Sequence, residues 1–226
     1  MVNTPADFAR IYDTFQAPIS RRYDCGTKCA PLNRGIPVCC DHERAVPVAD
    51  KGEWDLLRKR TDLWRIYRPK NKTEEKEFGD LAAGCKSIVC KGAKFCEREN
   101  RTLACRAFPF FPYFTAEKEL FGLAYYWGFE GLCWVISNLT VVERDFIDQM
   151  IAASEDVFRK DKDEYDTYVT YSATMRGVFT KWKRPIPLLG RDGGLYLVLP
   201  GSGGRIVPAA RAAFQARLPK FPRGFA

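Results

Sequence analysis

Apolar and polar positions along this chain follow helical and strand spacing mainly beyond residue 119 and are broken by proline and glycine before residue 50. Phe146, Met150, Ile151, Ala153 and Val157 recur at helical spacing, which predicts a helix over about 141–159 with one buried face. Thr140-Val141-Val142-Glu143 gives capping-box spacing at its start. A second helix is expected over about 163–183, stopped by Pro185 and Pro187. Leu195 to Leu199, between Asp192-Gly193-Gly194 and Gly201-Ser202-Gly203-Gly204, reads as a strand between turns. The segment ELFGLAYYWGFEGLCWVIS, with glycines at 122, 128 and 131, predicts two short strands of an antiparallel hairpin. Between Gly52 and Arg68, Trp54, Leu57 and Leu63 stand among charges at roughly helical spacing, which predicts one or two short amphipathic helices ended by Pro69. The charged run 70–80 reads as a solvated connection, and the terminal FPRGFA as a frayed tail. Pro5, Pro18, Pro31, Pro37 and Pro47, with Gly26 and Gly35, favour a loop wrapped around ligands over the first 50 residues.

What such a loop would wrap is shown by the cysteines. Eight of nine fall in two groups: Cys25, Cys29, Cys39 and Cys40, then Cys85, Cys90, Cys96 and Cys105. Thiolates are costly to gather unless a disulfide, a zinc ion or an iron–sulfur cluster holds them. The N-terminus has no apolar run of signal-peptide length and no stretch approaches the ~18 apolar residues of a membrane span, so a cytoplasmic location without membrane contact is expected. In a reducing cytosol clustered cysteines more often bind metal than pair with one another. The vicinal pair Cys39-Cys40 is also a poor disulfide with itself, since adjacent side chains on an extended backbone point to opposite faces.

The 226 residues and 46% hydrophobic content suit one domain over 1–226, with a cysteine-cluster region at 25–133 and a helical and strand part at 140–226. The expected class is α+β: metal-organised loops and short helices first, then a small antiparallel sheet and two longer helices. A net charge of +8 raises nucleic acid as a partner, but Lys and Arg are scattered and bound thiolates would offset those near the cysteines. Nucleic-acid binding is therefore not the expected function, and a protein partner or protein substrate is the alternative use of a basic surface. His42 is the only histidine, which excludes a three-histidine zinc centre and a histidine general base elsewhere, so hydrolytic zinc chemistry is not expected.

The stretch CGTKCAPLNRGIPVCC at 25–40 ends in a vicinal cysteine pair, and CERENRTLACRAFPFFPY at 96–113 joins an arginine, a cysteine and a Phe-Pro signature. Over about 25–113, with Cys133 as a later member, the chain resembles the YkgJ-type cysteine-cluster family, a group described as zinc- or iron-chelating, whose domain flagellin lysine N-methylases share. The resemblance implies a cysteine-ligated metal site. In its enzymatic form it implies group transfer in which a cluster binds or activates S-adenosylmethionine beside an acceptor lysine.

Spacing bears on the metal. Zinc knuckles present short Cys-x2-4-Cys pairs, and only Cys25-x3-Cys29 has that form; the looser spacers favour a 4Fe-4S cluster whose ligands arrive from separate loops, with zinc as the alternative. The first-choice quartet is Cys29, one of Cys39 or Cys40, Cys96 and Cys105. Cys25, Cys85 and Cys90 then form a second site or simply pack. Cys133, expected in a strand, is core or ligand, and His42 a surface loop residue, a ligand or a second donor. Arg98, Arg101 and Arg106 flank the second motif and are cofactor-binding candidates, able to neutralise cluster charge or grip a carboxylate or phosphate; otherwise they are solvated. Phe108, Phe110, Phe111, Tyr113 and Phe114 read as core that could also shield a cluster. The leading function is an iron–sulfur protein in group or electron transfer; the alternative is a non-enzymatic zinc-stapled interaction module.

Overall fold

A capping box opens the first helix inside the segment where proline punctuation favoured loop. In the computed structural model, which describes residues 2–79, 81 and 84–222, Thr4 and Asp7 exchange side-chain and backbone hydrogen bonds at the start of α1 (Pro5–Thr14). Pro5 costs nothing there, because the first helical amide has no partner to lose. The helix buries Phe8, Ile11, Tyr12 and then Phe15. Beyond it the chain does run as short pieces: one turn of α2 (Cys25–Cys29), then 3-10 turns at Ala30–Leu32 and Val38–Cys40.

The middle of the chain is more regular than its charge pattern suggested. Strand β1 (Val48–Ala49) leads into α3 (Lys51–Arg60), and the residues after Arg60 turn into β2 (Trp64–Ile66) rather than a second helix. The charged run 70–80 contains α4 (Lys72–Gly79), because Asn71 Oδ1 accepts from the amides of Thr73 and Glu74 at 3.0 Å and caps it. Strand β3 (Lys86–Cys90) pairs antiparallel with both earlier strands in the order β1-β3-β2, a sheet with no counterpart in the sequence reading. Leu103–Ala107 forms α5, ended before a cis Phe108-Pro109 bond.

The expected hairpin sits earlier than its glycines suggested. Strands β4 (Phe110–Phe114) and β5 (Leu120–Tyr125) pair across the turn closed by Thr115 and Glu119. After Tyr125 the backbone breaks into 3-10 turns at Trp127–Phe129 and Trp134–Val141, so Cys133 lies at a turn and not in a strand. Helix α6 (Arg144–Phe158) buries all five apolar positions of its predicted face, with Phe146, Met150, Ile151 and Val157 each contributing about 1.5–3 kcal/mol on transfer from water and Ala153 less. Its start is not the Thr140 capping box: the Thr140 hydroxyl bonds Gln215 Oε1, and Glu143 occupies the cap position without a side-chain bond.

Helix α7 (Lys162–Lys181) follows the Asp161 cap and lies along β4, where Ser172 Oγ accepts from the Phe114 amide and Arg176 donates to the Phe114 carbonyl. Strands β6 (Ile186–Gly190), β7 (Leu195–Val198) and β8 (Ile206–Pro208) complete an antiparallel meander in the order β4-β5-β6-β7-β8, and α8 (Arg211–Gln215) closes it. Gly122 is required at the β5–β6 crossing, since a Cβ there would stand 2.1 Å from the Leu189 carbonyl oxygen. The class is thus α+β. Among the described residues no helix is long and apolar enough to cross a membrane. Of the FPRGFA tail, residues 223–226 lie outside the described residues.

Candidate metal centre

The short turns of the first half and the second cysteine stretch lie near one another, with His42 3.7 Å from Cys90 and the charge of Cys40 reaching thiols in both. Asp24 caps α2 by accepting the Gly26 amide at 3.0 Å, which sets Cys25 at the helix start and Cys29 one turn later. The Cys29 thiol donates to the Gly26 carbonyl at 3.7 Å. Thr102 caps α5 by accepting the Cys105 amide at 3.0 Å, which fixes Cys105 in its first turn. Cys90 ends β3, where the Gly92 amide donates to its sulfur at 3.4 Å. An amide aimed at a sulfur favours the thiolate form that a metal needs.

Electrostatics show which thiols share a neighbourhood. Cys29, Cys39, Cys90, Cys96 and Cys105 all feel the charge of Cys40, and Cys39 also feels Cys25. The Cys39 thiol donates to the Cys40 sulfur and pulls Cys40 down to about 7; burial opposes this and the Arg101 charge assists it. The vicinal pair therefore meets side by side, because Val38–Cys40 is a 3-10 turn and not the extended backbone assumed from sequence. Burial pushes Cys25 up to about 11 and Cys105 up to about 12. These are neutral thiols at pH 7, and only a bound cation would ionise them.

The remaining candidates divide. Cys85 is not among this group: burial, then the charges of Asp50, Glu164, Asp161 and Glu53, push it up to about 11. Cys133 is 6% exposed and packed in the core, near enough to Cys25 and Cys29 to feel their charge. His42 Nε2 stands 3.7 Å from Cys90 Sγ, so the one histidine is beside a thiol and half-buried.

The three arginines have separate positions. Arg101 carries the positive charge felt by Cys25, Cys40 and Cys96, and Arg98 adds to it at Cys96. Arg106 is 5% exposed and already committed, donating to the carbonyls of Arg101 (3.0 Å), Phe15 (2.8 Å) and Glu99 (2.6 Å). Its guanidinium also lies 4.3 Å over the Tyr12 ring. That clamp ties the loop before α5 to the end of α1, leaving Arg106 a structural role in place of the cofactor grip considered from sequence.

Among the described residues no three His, Cys, Asp or Glu side chains stand close enough to hold a single metal ion as they are. A zinc ion at about 2.3 Å from each sulfur would bring tetrahedral thiolates to about 3.8 Å of one another. A cavity of about 420 Å³ reaches this region, with Cys39 and Cys105 in one wall and Cys85, Asp50, Asp161 and Glu164 in another. Sequence reasoning missed those carboxylates. Asp50 and Asp161 were detectable as helix caps, whereas their meeting depends on the tertiary fold.

No protein-family model matches the chain, and no curated protein or solved structure matches it either.

Proposed function

We propose that the protein binds a metal centre through thiols gathered around Cys40, and that this centre is an iron–sulfur cluster. What supports the reading is that the charge of Cys40 reaches Cys29, Cys39, Cys90, Cys96 and Cys105, which come from segments scattered over the first half of the chain. Soft thiolate donors select zinc, copper(I) or iron–sulfur centres over hard cations. Cys29, Cys40, Cys96 and Cys105 would hold the cluster, and Arg101 would offset its negative charge. When bound, such a centre supplies one-electron chemistry and ties together loops that carry little regular structure of their own.

Cys90 beside His42 favours a second reading in which a mixed cysteine and histidine site holds zinc. The two separate in one experiment: metal content of the chain purified without oxygen, for Cys40→Ala and His42→Ala. The cluster reading expects Cys40→Ala to lose iron and His42→Ala to keep it. Zinc lost on His42→Ala, with no iron in the parent chain, would replace it.

A further inference from the structure

Four carboxylates meet around the cavity beside the thiols. Asp50 and Glu53 come from the start of α3, Asp161 and Glu164 from the start of α7, and all four line the space. Asp50 and Asp161 each spend one oxygen on a helix cap, at Gly52 and at Glu164. Glu53 is 2% exposed; its Oε1 accepts from the Tyr12 hydroxyl at 2.6 Å and from the Leu103 amide, and its Oε2 has no hydrogen-bond partner among the described residues. None of the four forms an ion pair with a described Lys, Arg or His. Arg44, the cation in the lining, is held by Asn33 Oδ1 at 2.8 Å and faces Asp41 at 3.6 Å.

The other walls are aromatic. Phe108 and Phe129 pack edge to face at 4.8 Å, Phe158 and Tyr168 lie 5.9 Å apart, and Tyr126 completes the surface. Aromatic faces hold an apolar body and attract a cation. The carboxylates are spread too widely for a bare metal ion, because no three described acidic or thiol groups stand at ligating separation. The volume of about 420 Å³ also lies in the range of small-molecule sites.

We propose that this cavity binds a small organic cation, an ammonium group on an apolar or aromatic body, with Glu53 and Glu164 facing the charge and Phe129, Phe158, Tyr126 and Tyr168 around the body. An anion would meet these carboxylates, of which Glu53 is offset in part by the Arg106 charge and Glu164 is bonded by the Tyr168 hydroxyl, and a neutral ligand would leave them without a cation at contact. Burial raises Glu53 and Glu164 to about 7, so both carboxyls are mostly ionised only above that pH, and a bound cation would stabilise their charged form. The exposed Arg44 and Ala104 lie at the rim, so the cavity has a mouth. The proposal does not depend on which metal the thiols hold.

The test is calorimetric titration of the full chain, purified without oxygen, with 2-phenylethylamine and with the uncharged 2-phenylethanol at pH 8. The amine should bind one to one, with the alcohol weaker by roughly tenfold or more. Glu164→Gln, which removes the charge while keeping an acceptor for the Tyr168 hydroxyl, should weaken the amine by a similar factor, and Glu53→Gln should do the same while keeping an acceptor for Tyr12. No amine binding at millimolar concentration, equal affinity for the alcohol, or amine affinity unchanged in both variants would each overturn the proposal.

Discussion

The Tyr12 hydroxyl donates a 2.6 Å hydrogen bond to Glu53, and the same ring carries the Arg106 guanidinium 4.3 Å from its centre. One side chain on α1 thereby joins the cavity carboxylate Glu53 to helix α5, which presents Cys105. The Glu53 carboxyl draws its stabilising contacts from Tyr12 and the Leu103 amide, so removing the phenol leaves a buried charge short of a donor. Tyr12→Phe should lower stability at pH 8 by about 1.5–3 kcal/mol, read by urea denaturation. A change within a few tenths of a kcal/mol would show that water replaces the bond.

Arg106 offers a second check on the clamp. Its three donors reach three carbonyls in a fork that a lysine ammonium cannot reproduce. Arg106→Lys should therefore lower the melting temperature by roughly 5 °C or more in the metal-free chain. An unchanged melting temperature with weakened cofactor binding would return Arg106 to the ligand role considered from sequence.

Two buried carboxyls give stability opposite dependences on pH. The Lys160 ammonium at 2.7 Å, with the Thr4 cap, holds Asp7 well below the usual carboxylate range. The unfolded chain then binds the extra proton, so this contribution is present above about pH 4 and is lost as pH falls further. Burial instead raises Glu53 to about 7, so the folded chain binds the extra proton between about 4.5 and 7 and stability falls as pH rises through that window. Chemical denaturation across pH should show Asp7→Asn flattening the acid limb and Glu53→Gln flattening the fall toward pH 7. Limbs unaltered by both changes would contradict the assignment.

The cysteines should separate by substitution. Cys96→Ala and Cys105→Ala are expected to abolish metal loading, while Cys85→Ala, among carboxylates, and Cys133→Ala, in the core, should leave it largely intact. Metal analysis of the four variants decides this, and full retention in both of the first two would remove the ligand assignment.

Helix α6 was legible because five apolar positions at helical spacing have one physical solution, burial of a single face. The two cysteine-rich stretches were legible from their density in the sequence. Cys85 could not be told from its neighbours in sequence, since its separation depends on where β3 begins. Helix α1 was missed although Thr4, Pro5 and Asp7 carry a start signal, because the prolines that follow dominated the reading. Helix α4 was missed because its charges resemble those of a loop until Asn71 is read as a cap. The cavity was not legible at all: Asp50 and Glu164 lie on helices distant in sequence, and no local pattern brings them together.

On the function proposed above, the thiols around Cys40 hold an iron–sulfur centre. Iron and acid-labile sulfide content, with a visible absorption spectrum, on chain purified without oxygen test it most directly. Iron and sulfide in equal amounts, with broad visible absorption that bleaches on reduction, are the expected result. A colourless chain with neither iron nor sulfide after anaerobic reconstitution would contradict it.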